Sequence, residues 1–293
     1  MDQKRKTILR REQMKKPGLL IAILSIAVGA MADNQTTLAH RYEAAKPILA
    51  EPAQKPKGDE LTEEFHKSYP LSATGRVSIA NINGDVHISA WDGNEVKVDA
   101  VKRAYSPERL SEAAIDVVSA ADSIVIKTKY PERNQTFDDR TRVNNPASVE
   151  YTLTVPRNAR IDNAELINGS LDITGVQGDV HLSLINGEAK AGDLSGDVRI
   201  STVNGGVEAN LARLTEAKAV NLTSVNGPIV LIVPAGMNAD VKASTVHGKI
   251  TNDFGWIVNE GQYVGRDMAG QVGSGGLRIR LSNVNGSISI KHD

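Results

Sequence analysis

The chain has no cysteine. That excludes disulfides, cysteine-ligated metals and a lipidated cysteine after an export signal. Aromatic residues make up only 4 %, and none occurs between Arg157 and Asp253. Sugar recognition commonly stacks rings on aromatic faces, so a long track of that kind is excluded over this stretch. His-Glu-x-x-His, Gly-x-Ser-x-Gly and the phosphate-binding loop are absent. There is also no apolar run of about 20 residues, the length a spanning helix needs.

The longest apolar stretch runs from Gly18 to Ala32. It follows a basic segment (Lys4, Arg5, Lys6, Arg10, Arg11, Lys15, Lys16) and ends in Ala30-Met31-Ala32, the small-x-small pattern of a signal-peptidase site. This predicts a signal peptide over 1–32, cleaved after Ala32, and a bacterial protein that is periplasmic, cell-surface or secreted. A retained anchor and a start at Met14 are the alternatives. Cleavage removes seven Lys/Arg and two Asp/Glu, leaving 27 basic and 33 acidic residues, a formal charge of −6. An acidic exported chain is a poor partner for nucleic acid or anionic lipid. No integral span remains after cleavage.

With 293 residues and 40 % hydrophobic content, the rest is long enough for a sizeable core. Residues 33–64 contain Pro47, Pro52 and Pro56 among polar residues, the composition of a flexible tether. Residues 65–159 read as a strand-rich part with one helix. Val77, Ile79, Val86, Ile88, Val96, Val98 and Val101 recur at strand period. The helix is predicted from Ser106 as N-cap and Pro107 at its first position, with Leu110, Ala113, Ala114 and Val117 on one face.

From residue 160 to 293 a repeat takes over. Gly169, Gly178, Gly187, Gly196 and Gly205 are nine apart, and Asn168, Asn186 and Asn204 eighteen apart. Asn226, His247 and Asn285 continue the series at longer steps, and Asn83 anticipates it. Asn-Gly is a strong hairpin signal. Hairpins would nevertheless set Ile167 beside Ser170, Ile185 beside Glu188 and Leu194 beside Asp197 on one sheet face, against sheet patterning. In a coil no cross-turn pair is needed: the residue before Asn-Gly turns inward, and glycine supplies a positive φ at the corner. The expectation is therefore all-β, a parallel, β-helix-like β-solenoid with coils of about 18–22 residues. Asn83, Asn168, Asn186, Asn204, Asn226, His247 and Asn285 would form a side-chain ladder about 4.8 Å per rung. Gly169, Gly187, Gly205, Gly227, Gly248 and Gly286 would form its corners.

The segments "NINGDVHISAWDGNEVKVDAVKRA", "SVEYTLTVPRNARI", "NGSLDITGVQGDVHLSLINGEAKAGDLSGDVRISTVNG", "VPAGMNADVKASTVHGKITNDF" and "GSGGLRIRLSNVNGSISI" together resemble the bacterial family named putative adhesin, a β-strand-repeat domain of unknown function. The resemblance covers roughly residues 65–293, in order. It implies an exported or envelope-facing β-solenoid and carries over no catalytic residues.

Chemistry is sparse. Asp179, Asp197, Arg199, Lys190 and His181 are the candidates for a polysaccharide-lyase-like enzyme. They alternate with Val180, Leu182, Val198 and Ile200, so the simpler reading is a solvated sheet face. His87 and His181 share a Gly-Asp-Val-His context but lack a third metal ligand. The Asp spacing does not suit a repeat-wide calcium array. No cofactor is expected. Insertion 255–276 carries Trp256, Tyr263, Arg266 and Asp267, and inserted loops on repeat arrays often bind partners. The sequence thus predicts a non-catalytic envelope scaffold or interaction module that contacts an envelope component or protein. The alternative is a carbohydrate-active enzyme on the same fold; self-association through terminal coils is a further expectation.

Overall fold

The structure, a computed structural model, describes residues 59–131, 146–211, 219–234 and 236–293. The expected signal peptide, its cleavage site and the tether as far as residue 58 lie outside them. The described residues are all-β, with two large mixed sheets and one short helix.

The described residues begin with β1 (Leu61–Pro70), β2 (Arg76–Asn83), β3 (Val86–Trp91) and β4 (Glu95–Ala104). Helix α1 (Pro107–Glu112) follows, then β5 (Ala114–Ala120), β6 (Ser123–Lys129) and β7 (Ser148–Pro156). The repeats contribute β8 (Arg160–Asn168), β9 (Leu171–Thr174), β10 (Val180–Asn186), β11 (Ala189–Gly192), β12 (Val198–Asn204) and β13 (Val207–Asn210). After them come β14 (Ala219–Asn226), β15 (Ile229–Val233), β16 (Ala239–His247), β17 (Ile250–Asn252), β18 (Val258–Glu260), β19 (Arg266–Val272), β20 (Leu277–Asn285) and β21 (Ile288–His292). The first sheet has the order β1-β4-β7-β3-β9-β11-β13-β15-β21-β17, and the second β18-β19-β16-β20-β14-β12-β10-β8-β2-β6-β5.

The two strands that flank each Asn-Gly lie in different sheets. They are not partners, so the Asn-Gly steps are not hairpin turns. Each strand pairs in parallel with its equivalent in another repeat: Val180 opposite Val198, Val198 opposite Val220, Ala189 opposite Val207. Residues such as Leu171, Val180, Leu182, Leu184, Val198 and Ile200 fall on the inner faces and are buried in one core shared by both sheets. Burial of each such side chain is worth about 1.5–3 kcal/mol, which is what makes stacking of otherwise two-faced strands favourable.

Several local expectations need correction. The helix has the predicted Ser106 N-cap, whose Oγ accepts from Arg109 N at 3.3 Å, but it stops at Glu112. Ala114 and Val117 belong to β5, where the β-branched run Ile115, Val117, Val118 pairs antiparallel with β6. Strand structure starts at Leu61, inside the expected tether; β1 is exposed on nearly all sides and held by backbone pairing to β4, so no apolar alternation announces it. Val101 points outward, and Lys102 takes the inward position, its amine 2.7 Å from Glu63.

The residue before Asn-Gly does not turn inward. Ile167, Ile185, Val203, Val225, Val246 and Val284 are half-buried on the outer face of the second sheet, because strict alternation from Leu166 or Leu184 puts them there. Chain order also differs from spatial order. The strand pair β20 and β21 lies between β14 and β15 on one side and β16 and β17 on the other. Repeat sequences that offer equivalent backbone edges do not encode which rung is filled first. The expected insertion 255–276 is not loop alone: β19 runs antiparallel to β16, and β18 to β19.

Candidate functional site

The corners show why the repeat takes its composition. Each Asn donates its side-chain amide to the side-chain oxygen of the Asn one rung away. The bonds run Asn168 to Asn83 at 2.9 Å, Asn186 to Asn168 at 2.8 Å and Asn204 to Asn186 at 2.8 Å. They continue from Asn226 to Asn204 at 2.9 Å and from Asn285 to Asn226 at 2.9 Å. At the far end His247 lies in register with Asn285.

The glycines follow from close stacking more than from φ. A Cβ on Gly169, Gly187, Gly205, Gly227, Gly248 or Gly286 would fall less than 3.0 Å from the carbonyl oxygen of the stacked corner glycine. Gly169 and Gly187 do have φ of 152° and 151°, but the other four have no such value. For these four, the expected positive φ is replaced by lack of room.

Two residues before the corner Asn, later rungs place a buried polar group inside the coil. Thr202 and Ser224 donate to the Gly205 carbonyl at 2.8 and 3.1 Å, Asn283 to Gly227 at 2.6 Å, and Thr245 to Gly286 at 3.1 Å. A polar residue at an inward parity is the sequence signal that could have found this column. At the N-terminal end, Asn81, Thr128 and Tyr151 form a buried network. Thr128 donates to Asn81 Oδ1 at 2.8 Å and lies 2.8 Å from the Tyr151 hydroxyl. Burial pushes the Tyr151 phenol up to about 12.

Of the candidate enzyme residues, Asp179, His181, Asp197 and Arg199 lie together at the start of β10 and β12, and Lys190 lies on the other sheet. Asp179 accepts from the Asp197 amide at 3.1 Å, and Asp197 from the Ala219 amide at 3.0 Å, so both carboxylates brace the next rung. His181 and Arg199 stand on the outer face of the second sheet, Lys190 on that of the first. Beside Lys190 lies a shallow depression of about 420 Å³ above Gly192, lined also by His87, Asp172, Glu208 and Asn210. His87 sits between two carboxylates, Nδ1 3.2 Å from Asp172 and Nε2 4.0 Å from Glu150. Lys190 is in register with both Asp172 and Glu208, an alternation of charge that stabilises neighbouring strands. Among the described residues no group of three His, Cys, Asp or Glu could hold a metal.

The insertion separates into two parts. Trp256 stacks on Phe254 (centroids 4.6 Å, planes 12° apart) and covers Gly270, closing the end of the core. Arg266 pairs with Glu260 at 3.1 Å and donates to the Gly248 carbonyl, the acceptor that a further rung would otherwise meet. Asp267 accepts from Asn259 at 3.1 Å. Tyr263, by contrast, is 89 % exposed, and so are its neighbours Ile257 (80 %) and Val264 (56 %). These are three of the six exposed large hydrophobic side chains among the described residues, within eight positions of sequence. Sequence reasoning singled out Tyr263 and missed Val264, beside it in the β18–β19 turn, and Ile257, which precedes β18.

No protein-family model and no curated protein matches the chain. Solved structures are similar to it. One is a putative cell adhesion protein from Clostridium sporogenes, 16 % identical, with a TM-score of 0.48 over 80 % of this chain and 100 % of that one. A putative adhesin from Bacteroides fragilis is 13 % identical, with a TM-score of 0.40 over 79 % and 97 %. A putative adhesin from Parabacteroides merdae is 9 % identical, with a TM-score of 0.28 over 81 % and 97 %. These names are those of the family that the sequence resembles. Among the described residues, no helix is long and apolar enough to cross a membrane.

Proposed function

We propose that the chain is an exported, non-catalytic, adhesin-like interaction module of the cell envelope, built as a parallel β-solenoid that presents its C-terminal hairpin to a partner. The observation that carries this reading is the exposed apolar side chains of this segment, Tyr263 and Val264 in the β18–β19 turn and Ile257 just before β18. Clustered exposed apolar side chains on an inserted loop mark interaction sites. The solenoid reading is supported by the alternation of repeat strands between two sheets and by parallel registers of 18 and 22 residues. The non-catalytic reading is supported by the bracing of the next rung by Asp179 and Asp197, by the exposure of His181 and Arg199 on an open sheet face, and by the cross-strand charge alternation around Lys190. Export and cleavage after Ala32 are supported by the basic segment, the apolar run and Ala30-Met31-Ala32. Asn83, Asn168, Asn186, Asn204, Asn226 and Asn285 then serve as structural rungs, with His247 ending the row.

The test is binding of the chain from Asp33 to isolated cell envelopes. Saturable binding is expected, and Tyr263→Ser combined with Ile257→Ser weakens it about tenfold or more while circular dichroism is unchanged. Absence of saturable binding, or a double variant that binds like the parent, would overturn the reading. Turnover of a uronate polymer, followed by the absorbance of unsaturated products, would establish the enzyme alternative instead.

A further inference from the structure

In-register pairing stacks His181, Arg199, Asn221, Arg280 and Lys242 into one row across β10, β12, β14, β20 and β16, on the outer face of the second sheet. Arg278 stands beside the row, two residues before Arg280 on the same face. All but Asn221 are exposed, and among the described residues Arg199, Arg278, Arg280 and Lys242 form no ion pair. The carboxylates nearby are otherwise engaged. Asp179 and Asp197 hold backbone amides of the next rung, Asp240 accepts from Gly276 N at 3.0 Å, and Glu165 from Asn163 at 2.7 Å. On the first sheet the pattern is the reverse: Lys102 pairs with Glu63, Arg103 with Glu150, and Lys190 sits between Asp172 and Glu208. Asp240 lies in register with Arg278, but Arg199, Arg280 and Lys242 face no carboxylate in register, so positive charge is in excess on one face of a chain with an acidic balance.

Beside the cations runs a row of hydroxyls in the same register, Ser183, Thr223, Ser282 and Ser244, interrupted by the buried Ser201. Strands about 4.8 Å apart make both rows straight, and Arg199 to Lys242 spans roughly 14 Å. These strands contain no aromatic residue on which a base could stack. Their outer aliphatic residues, such as Val203 and Val225, are half-buried and do not project as a membrane wedge would.

We propose that this face binds a linear acidic polysaccharide laid across the strands, with its acidic groups on Arg199, Arg280 and Lys242 and its hydroxyls along the Ser/Thr row. The row ends on β16, whose other edge pairs with β19 of the hairpin, but it does not include the Tyr263 turn and does not rest on the function proposed for that turn.

The test measures binding of the chain from Asp33 to polygalacturonate, with dextran, duplex DNA and phosphatidylglycerol vesicles as comparison arms. Polygalacturonate is expected to bind most tightly and to weaken as salt rises. The triple variant Arg199→Ser, Arg280→Ser, Lys242→Ser is expected to lose about tenfold or more in affinity with unchanged circular dichroism. Lys190→Ser and Tyr263→Ser are expected to bind like the parent. The proposal is overturned by no binding to polygalacturonate, by a triple variant that binds normally, by equal or tighter binding of dextran, DNA or vesicles, or by loss of binding in Tyr263→Ser alone.

Discussion

Gly205→Ala tests the packing of the corner column most directly. Gly205 has no positive φ, so alanine brings no backbone strain of that kind. Its Cβ would instead land within 3.0 Å of the Gly187 carbonyl. That carbonyl cannot yield alone, because Gly187 N donates to Asn204 O at 3.0 Å and Asn204 donates to Asn186 at 2.8 Å across the same gap. Overpacking costs about 1–3 kcal/mol, and loss of the two bonds about 0.5–1.5 kcal/mol each. The expected destabilisation is about 2–6 kcal/mol, a large part of the 5–15 kcal/mol typical of a domain. Gly192→Ala is the control, since a Cβ there meets nothing within 4 Å and its φ is not positive; it should be neutral or stabilise by about 0.5 kcal/mol. Urea unfolding followed by far-ultraviolet circular dichroism gives both values. A Gly205→Ala protein within about 0.5 kcal/mol of the parent, or a Gly192→Ala protein equally damaged, would refute the steric account.

Asn204→Ala removes the amide bonds to Asn186 and from Asn226; because both are exposed, we expect a loss of about 1 kcal/mol in the same unfolding assay. Trp256→Ala should cost about 2–4 kcal/mol through the lost end packing, whereas Tyr263→Ser should change thermal stability by less than about 0.5 kcal/mol. Asp99 and Glu64 bind the His66 ring at 2.6 and 3.2 Å, and the hydrogen bond that the ring donates to Asp99 is the main cause that raises its pKa. Its contribution to holding β1 is therefore complete below the ordinary histidine value and lost as pH rises through the raised one. A nuclear magnetic resonance titration should place His66 above 6.5, and Asp99→Asn should move it down. Tyr151 keeps its proton to about 12 when folded but ionises near 10 when unfolded, so stability should fall as pH rises past 10, less steeply in Tyr151→Phe.

The sequence alone determined the strand content, the inward residues of the repeats and the identity of the corner positions. Val180, Leu182 and Leu184 alternate with polar neighbours, and that period of two survives in any sheet that buries one face. It also argued correctly against hairpins at Asn-Gly, because cross-turn pairs such as Ile185 with Glu188 conflict with one shared face. It could not determine the order of the rungs. Asn285 stacks on Asn226, and His247 lies beyond it, because the backbone edges of the repeats are interchangeable and only the return through β19 selects the position. Nor could it separate Trp256 and Arg266 from Tyr263. All three lie in one Gly-rich segment, but core ends and an open carbonyl exist only once the sheets have formed, and they draw the first two inward. The row of Arg199, Arg280 and Lys242 is likewise a product of tertiary structure: residues up to 81 positions apart in chain fall into one row because parallel strands stack them in register.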